Sequence, residues 1–349
     1  PTTIDWTTNP VTFKYADNTA TNLQNPLARP AEIDDRKDTE GTLRFKRYNT
    51  NVITNEGAYV GNYAYGGGLG KEDDTFISSG DVYGTTYIAL LGGKVNKDVY
   101  AAGTMGTVYN LFGADDFIAS ANAYIKGGTC RNVYGGGWAG AVGYHTGTIS
   151  DATTNDIPGE THVVIGDLDG TSFVNGIPAI ERNAYGGGEG GAVFGTTNIT
   201  LNKGYIGYRY FVDQASADPG AELIGITDGG GYYQEKLHDE TWSGDGTYRL
   251  KDSGNIFGGG YVDNSSVDRT NVTMYSGHVR NSLFGGGEIA AVGRGVIVVS
   301  GEKNSIRTLQ GIYKAGKTNV KLYGGYVHRN VFGGGRGYNN RGEGGKLYS

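Results

Sequence analysis

Cysteine and long apolar runs are nearly missing from this chain, and each shortage excludes a class of protein. Cys130 is the single cysteine among 349 residues, so an internal disulfide framework is excluded. We expect its thiol to behave as a small buried apolar group within a strand. No window approaches the roughly 20 apolar residues of a membrane-spanning helix, and no charged-then-apolar signal peptide opens the sequence. The sequence therefore predicts no membrane span.

Positive charge is also in short supply. The chain has 30 Lys and Arg residues against 36 Asp and Glu residues, which gives a formal net charge of −6 at pH 7. Proteins that bind nucleic acid neutralise its phosphates with a basic patch or stripe. This composition supplies no such stripe, so we expect no DNA or RNA partner.

Glycine, by contrast, is abundant at 63 residues, and much of it falls in one repeated motif. Each copy places a small or apolar residue and an aromatic ring directly before three consecutive glycines. A degenerate further copy lies at 98–103, where Asp-Val-Tyr precedes Ala-Ala-Gly. Repetition of this kind indicates a repeat architecture. The complete copies lie at 63–68, 132–137, 183–188, 255–260, 282–287 and 330–335.

The residues before the triplets alternate with a period of two. Val320 and Leu322 are two residues apart, as are Val272 and Met274 at the matching places of another copy. A period of two is typical of strands, and each glycine costs about 1 kcal/mol relative to alanine inside a helix. We therefore predict an all-β fold with almost no helix. Its form would be a single-stranded parallel β-helix, or β-solenoid, with loop excursions.

The spacing of the triplets predicts the size of one coil. The shortest step between triplets is 27 residues, from Gly258 to Gly285, and the longest is 72 residues, from Gly186 to Gly258. A coil of about 27 residues suits three short strands with their turns, and longer steps would carry an extra coil or an excursion. Stacked coils place equivalent residues roughly 4.8 Å apart, so they form ladders. The predicted ladders are an aromatic stack of Tyr100, Tyr134, Tyr185, Phe257, Phe284 and Phe332, and an amide ladder of Asn132, Asn183, Asn255 and Asn330.

The triplets do not match the glycine motifs that bind phosphate or calcium. A phosphate loop needs Lys-Ser or Lys-Thr after its glycines, and a calcium roll needs an Asp at a fixed place in every repeat. Asp167 and Asp169 alone resemble a fragment of an oxygen-ligand calcium loop. They are the candidate metal ligands, and calcium is the one cofactor that the sequence suggests. Neither a Lys nor an Asp recurs directly after the triplets, where the residues are Leu69, Trp138, Glu189, Tyr261, Glu288 and Arg336.

Two domains are predicted from where the repeat begins. Residues 1–55 lack the triplet, are comparatively rich in proline and carry the charged run at 32–38. We interpret them as an N-terminal cap or a linker, because a solenoid needs its end strands covered. Residues 56–349 form the repeat domain, with excursions at about 144–160 and 207–253. The terminal residues, Pro1 and Ser349, suggest a processed product or a section of something longer.

The repeat resembles that of a known class of proteins. Asn-Val-Tyr/Phe-Gly-Gly-Gly followed by Ala-Val-x-Gly, and preceded by Thr-Asn-Val-x-Leu-x-x-Gly-x-Val, is similar to the glycine-rich repeats of large secreted surface proteins of Bacteroidota, of the adhesin-like, parallel β-helix type. The resemblance covers residues 60–345. It implies display at the cell surface and export by the type IX secretion route.

Two surfaces are candidates for binding. By strand alternation the residues beside Val95, Val279 and Val327 should face outward, as a solvated face or as a shallow groove for an acidic glycan. The 207–253 excursion mixes aromatic residues with carboxylates, which suits sugar rings or, alternatively, packs the loop against the repeat. Its candidate ligand-binding residues are Tyr232, Tyr233, Trp242 and Tyr248. The outward residues are Lys94, Asn96, His278, Arg280, Tyr326 and His328.

The functional prediction is a non-catalytic extracellular or cell-surface scaffold, a rigid stalk or filament segment of adhesin-like type. Its expected partners are a glycan, a host or cell-surface protein, or another copy of the chain through end-to-end association. Two alternatives stay open. A β-helix polysaccharide lyase or glycoside hydrolase would need carboxylates and basic residues clustered in one outward groove. A carbohydrate-binding module would need exposed, coplanar aromatic rings on the larger excursion.

Overall fold

The structure of the chain is a computed structural model. It describes residues 3–5, 12–14, 20–22, 48–70, 80–110, 118–145, 156–167, 177–211, 222–227, 230–234, 253–300 and 306–337. Within these ranges the secondary structure is strand, turn and bend, and no helix occurs. The all-β prediction is therefore confirmed for the described part of the chain.

Three parallel sheets of seven strands each make up most of the molecule. One sheet contains long strands and the other two contain two-residue strands. The long strands are β4 (Tyr48–Thr54), β7 (Gly84–Leu90), β10 (Ala119–Ile125), β13 (Gly159–Ile165), β16 (Val193–Leu201), β22 (Val267–Met274) and β27 (Lys317–Leu322). The second sheet contains β5 (Tyr59–Val60), β8 (Lys94–Val95), β11 (Thr129–Cys130), β14 (Ala179–Ile180), β17 (Tyr205–Ile206), β23 (His278–Val279) and β28 (Tyr326–Val327). The third contains β6 (Ala64–Tyr65), β9 (Val99–Tyr100), β12 (Val133–Tyr134), β15 (Ala184–Tyr185), β21 (Ile256–Phe257), β24 (Leu283–Phe284) and β29 (Val331–Phe332).

The chain visits the three sheets in turn, and each visit defines one unit. Unit 1 contains β4, β5 and β6, and unit 7 contains β27, β28 and β29; unit 5 contains β16, β17 and β21. Consecutive units pair in parallel register, so that Thr197 of unit 5 lies beside Thr161 of unit 4 and Thr270 of unit 6. The architecture is thus β-solenoid-like and all-β. Its first strand, β4, falls within the segment predicted as a cap or linker.

Each triplet marks one unit. Ile256 pairs with Leu283, 27 residues later, so one complete unit fits in this length. Ala184 pairs with Ile256 across 72 residues, so the longest step carries an excursion and not an extra coil. Each unit has one long strand and two two-residue strands in place of the three short strands predicted, and units also meet at the recurring Ala-Val step, where Val108 bridges Val142.

Three further small sheets are antiparallel. Strands β1 (Thr3–Asp5), β2 (Thr12–Lys14) and β3 (Ala20–Asn22) form one, and β18 (Arg209–Phe211), β20 (Gly230–Gln234) and β19 (Glu222–Thr227) form another inside the 207–253 excursion. Strands β25 (Gly293–Ser300) and β26 (Ile306–Ala315) make a hairpin between units 6 and 7. The sequence analysis did not predict this hairpin as an excursion.

The core lies between the three sheets and is made by alternate residues of the strands. Ile88, Val163, Ile199 and Val272 are buried there at equivalent positions of the long strands. A threonine two residues earlier also faces inward, and its hydroxyl donates across the unit to the carbonyl of the first triplet position. Thr161 Oγ1 lies 2.5 Å from the Gly186 oxygen, and Thr270 Oγ1 lies 2.5 Å from the Gly285 oxygen.

The predicted aromatic ladder is present, and the predicted amide ladder is present in part, because Ser282 lies between Asn255 and Asn330. The aromatic ladder begins one unit earlier than predicted, at Tyr65, and its rings stack with centroids 4.6–5.1 Å apart. It forms a second, aromatic core beside the aliphatic one. In the amide ladder the Asn132 Oδ1 accepts the backbone N–H of Asn183 at 2.9 Å, and the Asn183 Oδ1 accepts that of Asn255 at 2.9 Å. Each of these amides therefore satisfies a backbone N–H of the next unit, at the turn that precedes the third-sheet strand.

The triplet glycines are required by close approach between units. A Cβ on Gly136, the second glycine of its triplet, would lie 2.7 Å from the backbone nitrogen and Cα of Gly188 in the next unit. Real Cβ atoms do not approach backbone atoms this closely, and Gly136 is fully enclosed between its neighbours. Only glycine allows the backbones to stack at this distance.

Candidate functional site

The predicted outward stripe is only partly present. Lys94 and Asn96 are exposed on either side of buried Val95, as predicted. The prediction is wrong for Arg280, which is buried. Its Nη1 donates to the Gly207 carbonyl at 3.4 Å. The absence of side chains at Gly207 and Gly254 creates the space that the Arg280 stem fills, since a Cβ on either glycine would lie 2.9 Å from the Arg280 Cβ.

Aromatic contacts dominate the rest of this stripe. The half-buried His278 ring stacks on Tyr205 at 5.1 Å, and exposed Tyr326 and His328 meet edge to face at 4.5 Å. The His328 Nε2 also lies 2.9 Å from the hydroxyl of buried Tyr208. Burial lowers the pKa of His278, which favours the neutral imidazole. With Arg280 buried as well, this part of the stripe presents mainly aromatic rings.

The candidate ligand-binding residues of the larger excursion are only partly described. Tyr232 and Tyr233 lie in β20, the central strand of the small antiparallel sheet, where Tyr232 pairs with Tyr210 and Tyr233 with Arg209. Trp242 and Tyr248 lie outside the described residues. Coplanar exposure of these four rings therefore stays a prediction.

Of the two candidate calcium ligands, Asp167 and Asp169, only Asp167 lies within the described residues. Asp167 accepts an ion-paired hydrogen bond from the Lys126 Nζ at 2.5 Å, so this carboxylate already has a cation beside it. Asp169 lies outside the described residues. Among the residues that the structure describes, no three His, Cys, Asp or Glu side chains are grouped closely enough to hold a metal ion.

A cluster of charged side chains lies where two excursions leave the sheets. We call it the charged clamp; it comprises His145, Asp156, Asp268, Arg294 and Lys314. His145 and Asp156 flank the smaller excursion, and the Asp156 Oδ1 lies 2.7 Å from the His145 Nδ1. Arg294 and Lys314 stand at the base of the β25–β26 hairpin. The Arg294 Nε donates to the Asp268 Oδ1 at 2.8 Å, and its Nη1 donates to the Asp156 Oδ1 at 3.2 Å.

The clamp is largely removed from solvent. The side chains of Asp268 and Arg294 are 2% and 7% exposed, and that of Asp156 is 14% exposed. Burial by itself raises the pKa of Asp156, but hydrogen bonds from Arg294 and His145 outweigh this effect and lower it to about 2. The Lys314 Nζ, 2.7 Å from the Asp268 Oδ2, supplies a second cation. Two carboxylates are thus matched by two cations.

The imidazole of His145 is the one group of the clamp with an unused polar atom. The imidazole ring stacks on the phenyl ring of Phe194 at 5.5 Å, and the Arg294 guanidinium lies over that phenyl ring at 5.1 Å. Its Nε2 is buried and has no hydrogen-bond partner among the described residues. A His–Asp pair is also the unit that general-base catalysis uses. Here, however, Arg294 shares the Asp156 carboxylate, so the group is arranged as an ion-paired clamp between two excursions.

Two further carboxylates bind the hydroxyls of the aromatic ladder. Glu189 accepts a hydrogen bond from Tyr100, and the Glu288 Oε2 accepts one from Tyr185 at 2.5 Å. Glu288 is fully buried, and the Arg336 Nη1 of unit 7 donates to its Oε1 at 3.3 Å. Burial raises the pKa of Glu189. Each carboxylate reaches a tyrosine two units earlier.

The sequence did not predict the tyrosine–carboxylate contacts or the charged clamp, although some of the residues involved were noted in the repeat. Glu189, Glu288 and Arg336 are among the residues directly after the triplets, and their aligned positions are the signal that could have paired them. The clamp gives no comparable signal. Asp156 and Arg294 are 138 residues apart in sequence, and only the stacking of the units brings them together.

Comparison with family models, curated proteins and solved structures finds no match to this chain. Within the described ranges, no helix has the length and apolar character needed to cross a bilayer.

Proposed function

We propose that this chain is a single-stranded parallel β-solenoid that serves as a non-catalytic structural scaffold at the outside of a bacterial cell, a rigid stalk or filament segment. One observation carries the proposal: the backbone pairing and the aromatic ladder run without interruption through all seven units. Parallel backbone hydrogen bonds and the aromatic stack connect every unit to the next, and the amide ladder reinforces the contacts among units 3, 4 and 5. A stack of this kind is stabilised by nearest-neighbour contacts and resists bending.

The state of the carboxylates supports a non-catalytic role. A glycoside hydrolase or lyase uses carboxylates that face a substrate groove and change protonation during the reaction. Asp156 and Asp268 are held by Arg294 and Lys314 inside the clamp, and Glu189 and Glu288 are held by tyrosine hydroxyls. These four carboxylates contribute to cohesion between units.

Surface display and partner binding belong to the same proposal. The resemblance to glycine-rich surface proteins of Bacteroidota implies export, and the excursions are the parts of a rigid scaffold that contact partners. We propose weak, multivalent contacts to a glycan or to a cell-surface protein, with Tyr232 and Tyr233 as candidate contact residues. Protease treatment of intact producing cells tests display: loss of the full-length protein is expected, and full protection would overturn it.

Turnover is the direct test of the non-catalytic role. The purified chain is incubated with a panel of neutral and acidic polysaccharides, with and without calcium, and the products are analysed by size. We expect no product. Product formation that is lost in the Asp268→Asn or Glu288→Gln variant, while both variants stay folded, would replace the scaffold proposal with an enzyme.

A glycan array run in parallel separates the two non-catalytic roles. Binding that is reduced by Tyr232→Ala or Tyr233→Ala would assign the contacts to the larger excursion. Lys203→Ala, a change on a half-buried residue of a neighbouring turn, serves as the control for non-specific charge effects.

A further inference from the structure

The end of the stack at unit 7 differs from every junction inside it. Strands β27, β28 and β29 are the last of their sheets and have a neighbour on one side only among the described residues. Leu322 and Val331 are each 45% exposed, whereas the equivalent residues of unit 6, Met274 and Leu283, are both 0% exposed. Unit 7 therefore presents apolar side chains at positions where inner units bury theirs.

The triplet glycines show the same difference. A Cβ added to the second glycine of an inner triplet would lie 2.6–2.8 Å from backbone atoms of the following unit. At Gly334, the second glycine of unit 7, no atom of the described residues lies within 4 Å of the added Cβ. Unit 7 thus keeps a glycine whose only use in the inner units is to admit another backbone. The equivalent inner glycines are Gly67, Gly136, Gly187, Gly259 and Gly286.

The ladders also have a direction, and this direction leaves complementary groups at the two ends. In the long-strand sheet, each asparagine amide donates to the preceding unit: the Asn271 Nδ2 to the Asn198 Oδ1 at 2.9 Å, and the Asn319 Nδ2 to the Asn271 Oδ1 at 3.4 Å. The next donor in this series would be the amide of an eighth unit. Unit 1 carries Asn51 at the equivalent position, and Tyr87 and His162 occupy this position in units 2 and 4.

Two inward positions of the long strand in unit 1 match unit 7, whereas Thr54 lies at the position of Leu322. The register that links the seven long strands places Thr50 at the position of Thr318 and Val52 at that of Val320. In the third sheet, Tyr65 begins the aromatic ladder and Phe332 ends it. A second copy whose unit 1 follows unit 7 would continue the backbone pairing and the aromatic ladder in register.

We propose that the unit 7 face binds unit 1 of a second copy of this chain, head to tail. This inference rests on the proposed scaffold function and names its partner. The contact is heterologous, so it does not close on itself and generates a linear filament. A tail-to-tail pair of unit 7 faces would bring the acceptor ends of two asparagine ladders together and would reverse the strand direction, so it continues none of the ladders.

The mass of the full chain is measured across a range of concentrations by analytical ultracentrifugation. We expect species larger than the monomer to grow with concentration. Gly334→Ala places a methyl group where the next backbone would lie, and Leu322→Lys places a charge in the same face. Both are expected to leave the monomer as stable as the parent and to weaken association by about tenfold or more. Trp138→Ala, a change on the exposed side of unit 3, should not alter association.

Engineered cysteines test the orientation. Val331 and Ala64 occupy equivalent positions in units 7 and 1, and neighbouring strands bring such Cα atoms within disulfide range. A mixture of Val331→Cys and Ala64→Cys chains should form a covalent heterodimer on oxidation. A covalent dimer from Val331→Cys alone would show a tail-to-tail contact and would overturn the proposal.

Two other results would also overturn it. A chain that stays monomeric at every concentration has no such contact. If Leu322→Lys also destabilises that monomer, residues 338–349 of the same chain cover the face. The scaffold proposal would survive either outcome, because its own test is polysaccharide turnover and not mass.

Discussion

At the scale of single residues, the molecule depends on positions where a side chain must be missing or must be polar. Gly136 illustrates the first requirement, since the backbone of the next unit occupies the place of its Cβ. Asn183 illustrates the second: it is buried, and its Oδ1 accepts the backbone N–H of Asn255. Neither role involves chemistry on a ligand, and both depend on contact with a neighbouring unit.

Alanine at Gly136 should destabilise the fold. The methyl group would force two backbones apart, and overpacking of this kind costs about 1–3 kcal/mol or more. Urea denaturation followed by circular dichroism measures the change. Gly334→Ala is the matched control, because it is the same triplet position and no atom in the described part of the chain lies within 4 Å of its added Cβ. Equal losses for the two variants at a concentration where the chain is monomeric would contradict the steric explanation.

The amide ladder gives a second prediction. Asn183→Ala leaves the buried N–H of Asn255 without its acceptor, which costs about 1–3 kcal/mol. The midpoint of urea unfolding should fall accordingly. Asn330→Ala, at the exposed end of the ladder, should change the midpoint little. Asn183→Ser should recover part of the loss, because Ser282 already serves in this ladder and its Oγ lies 3.3 Å from the backbone nitrogen of Asn330.

At the scale of elements, the sequence predicts what repeats and misses what does not. The Asn-Val-Tyr-Gly-Gly-Gly motif predicts parallel stacking, the aromatic ladder and the amide ladder, because stacking places equal residues side by side. Arg280 was predicted to face outward by alternation alone. It is nevertheless buried, because Gly207 and Gly254 of the neighbouring unit leave space that its side chain fills. The β25–β26 hairpin and the charged clamp likewise join residues that share no repeated pattern.

Removing the central cation of the clamp should be costly. Arg294→Met leaves Asp156 and Asp268 in a largely buried place with His145 and Lys314 as their remaining partners, and breaking a buried ion pair in this way costs about 3–5 kcal/mol. Lys314→Met is the control, since this side chain is 40% exposed and pairs of that kind contribute about 0–1 kcal/mol. A smaller loss for Arg294→Met than for Lys314→Met, measured by urea unfolding, would refute this assignment.

The clamp also predicts that the stability of the fold decreases at acidic pH. The pKa of Asp156 is lowered to about 2 in the folded chain from an ordinary value of 3.8. A lowered pKa contributes stability that is present above the ordinary pKa and is lost as the pH falls toward the folded value. The difference in unfolding midpoint between the parent and Asp156→Asn should therefore be largest above pH 4 and should shrink toward pH 2. A difference that is independent of pH would exclude this origin.

At the scale of the whole molecule, the parallel stack and its excursions should be separable. The larger excursion leaves after Tyr208 and returns at Ser253, and the flanking glycines are close together: a Cβ on Gly207 would lie 2.5 Å from the Gly254 Cα. Deleting 209–252 and closing the gap with a short Gly-Ser linker should keep cooperative unfolding and the β-type circular dichroism spectrum. Loss of cooperativity would mean that the excursion is part of the core.

The long reach of the carboxylates has a mechanical consequence for such a stack. Backbone hydrogen bonds point from unit to unit, so a force that pulls the two ends apart loads the junctions in series, and the weakest one opens first. Glu189, Glu288 and Arg294 instead connect groups that are two or more units apart. They act as staples across the junctions between units 2 and 6, so that tension on one of these junctions is shared with its neighbours.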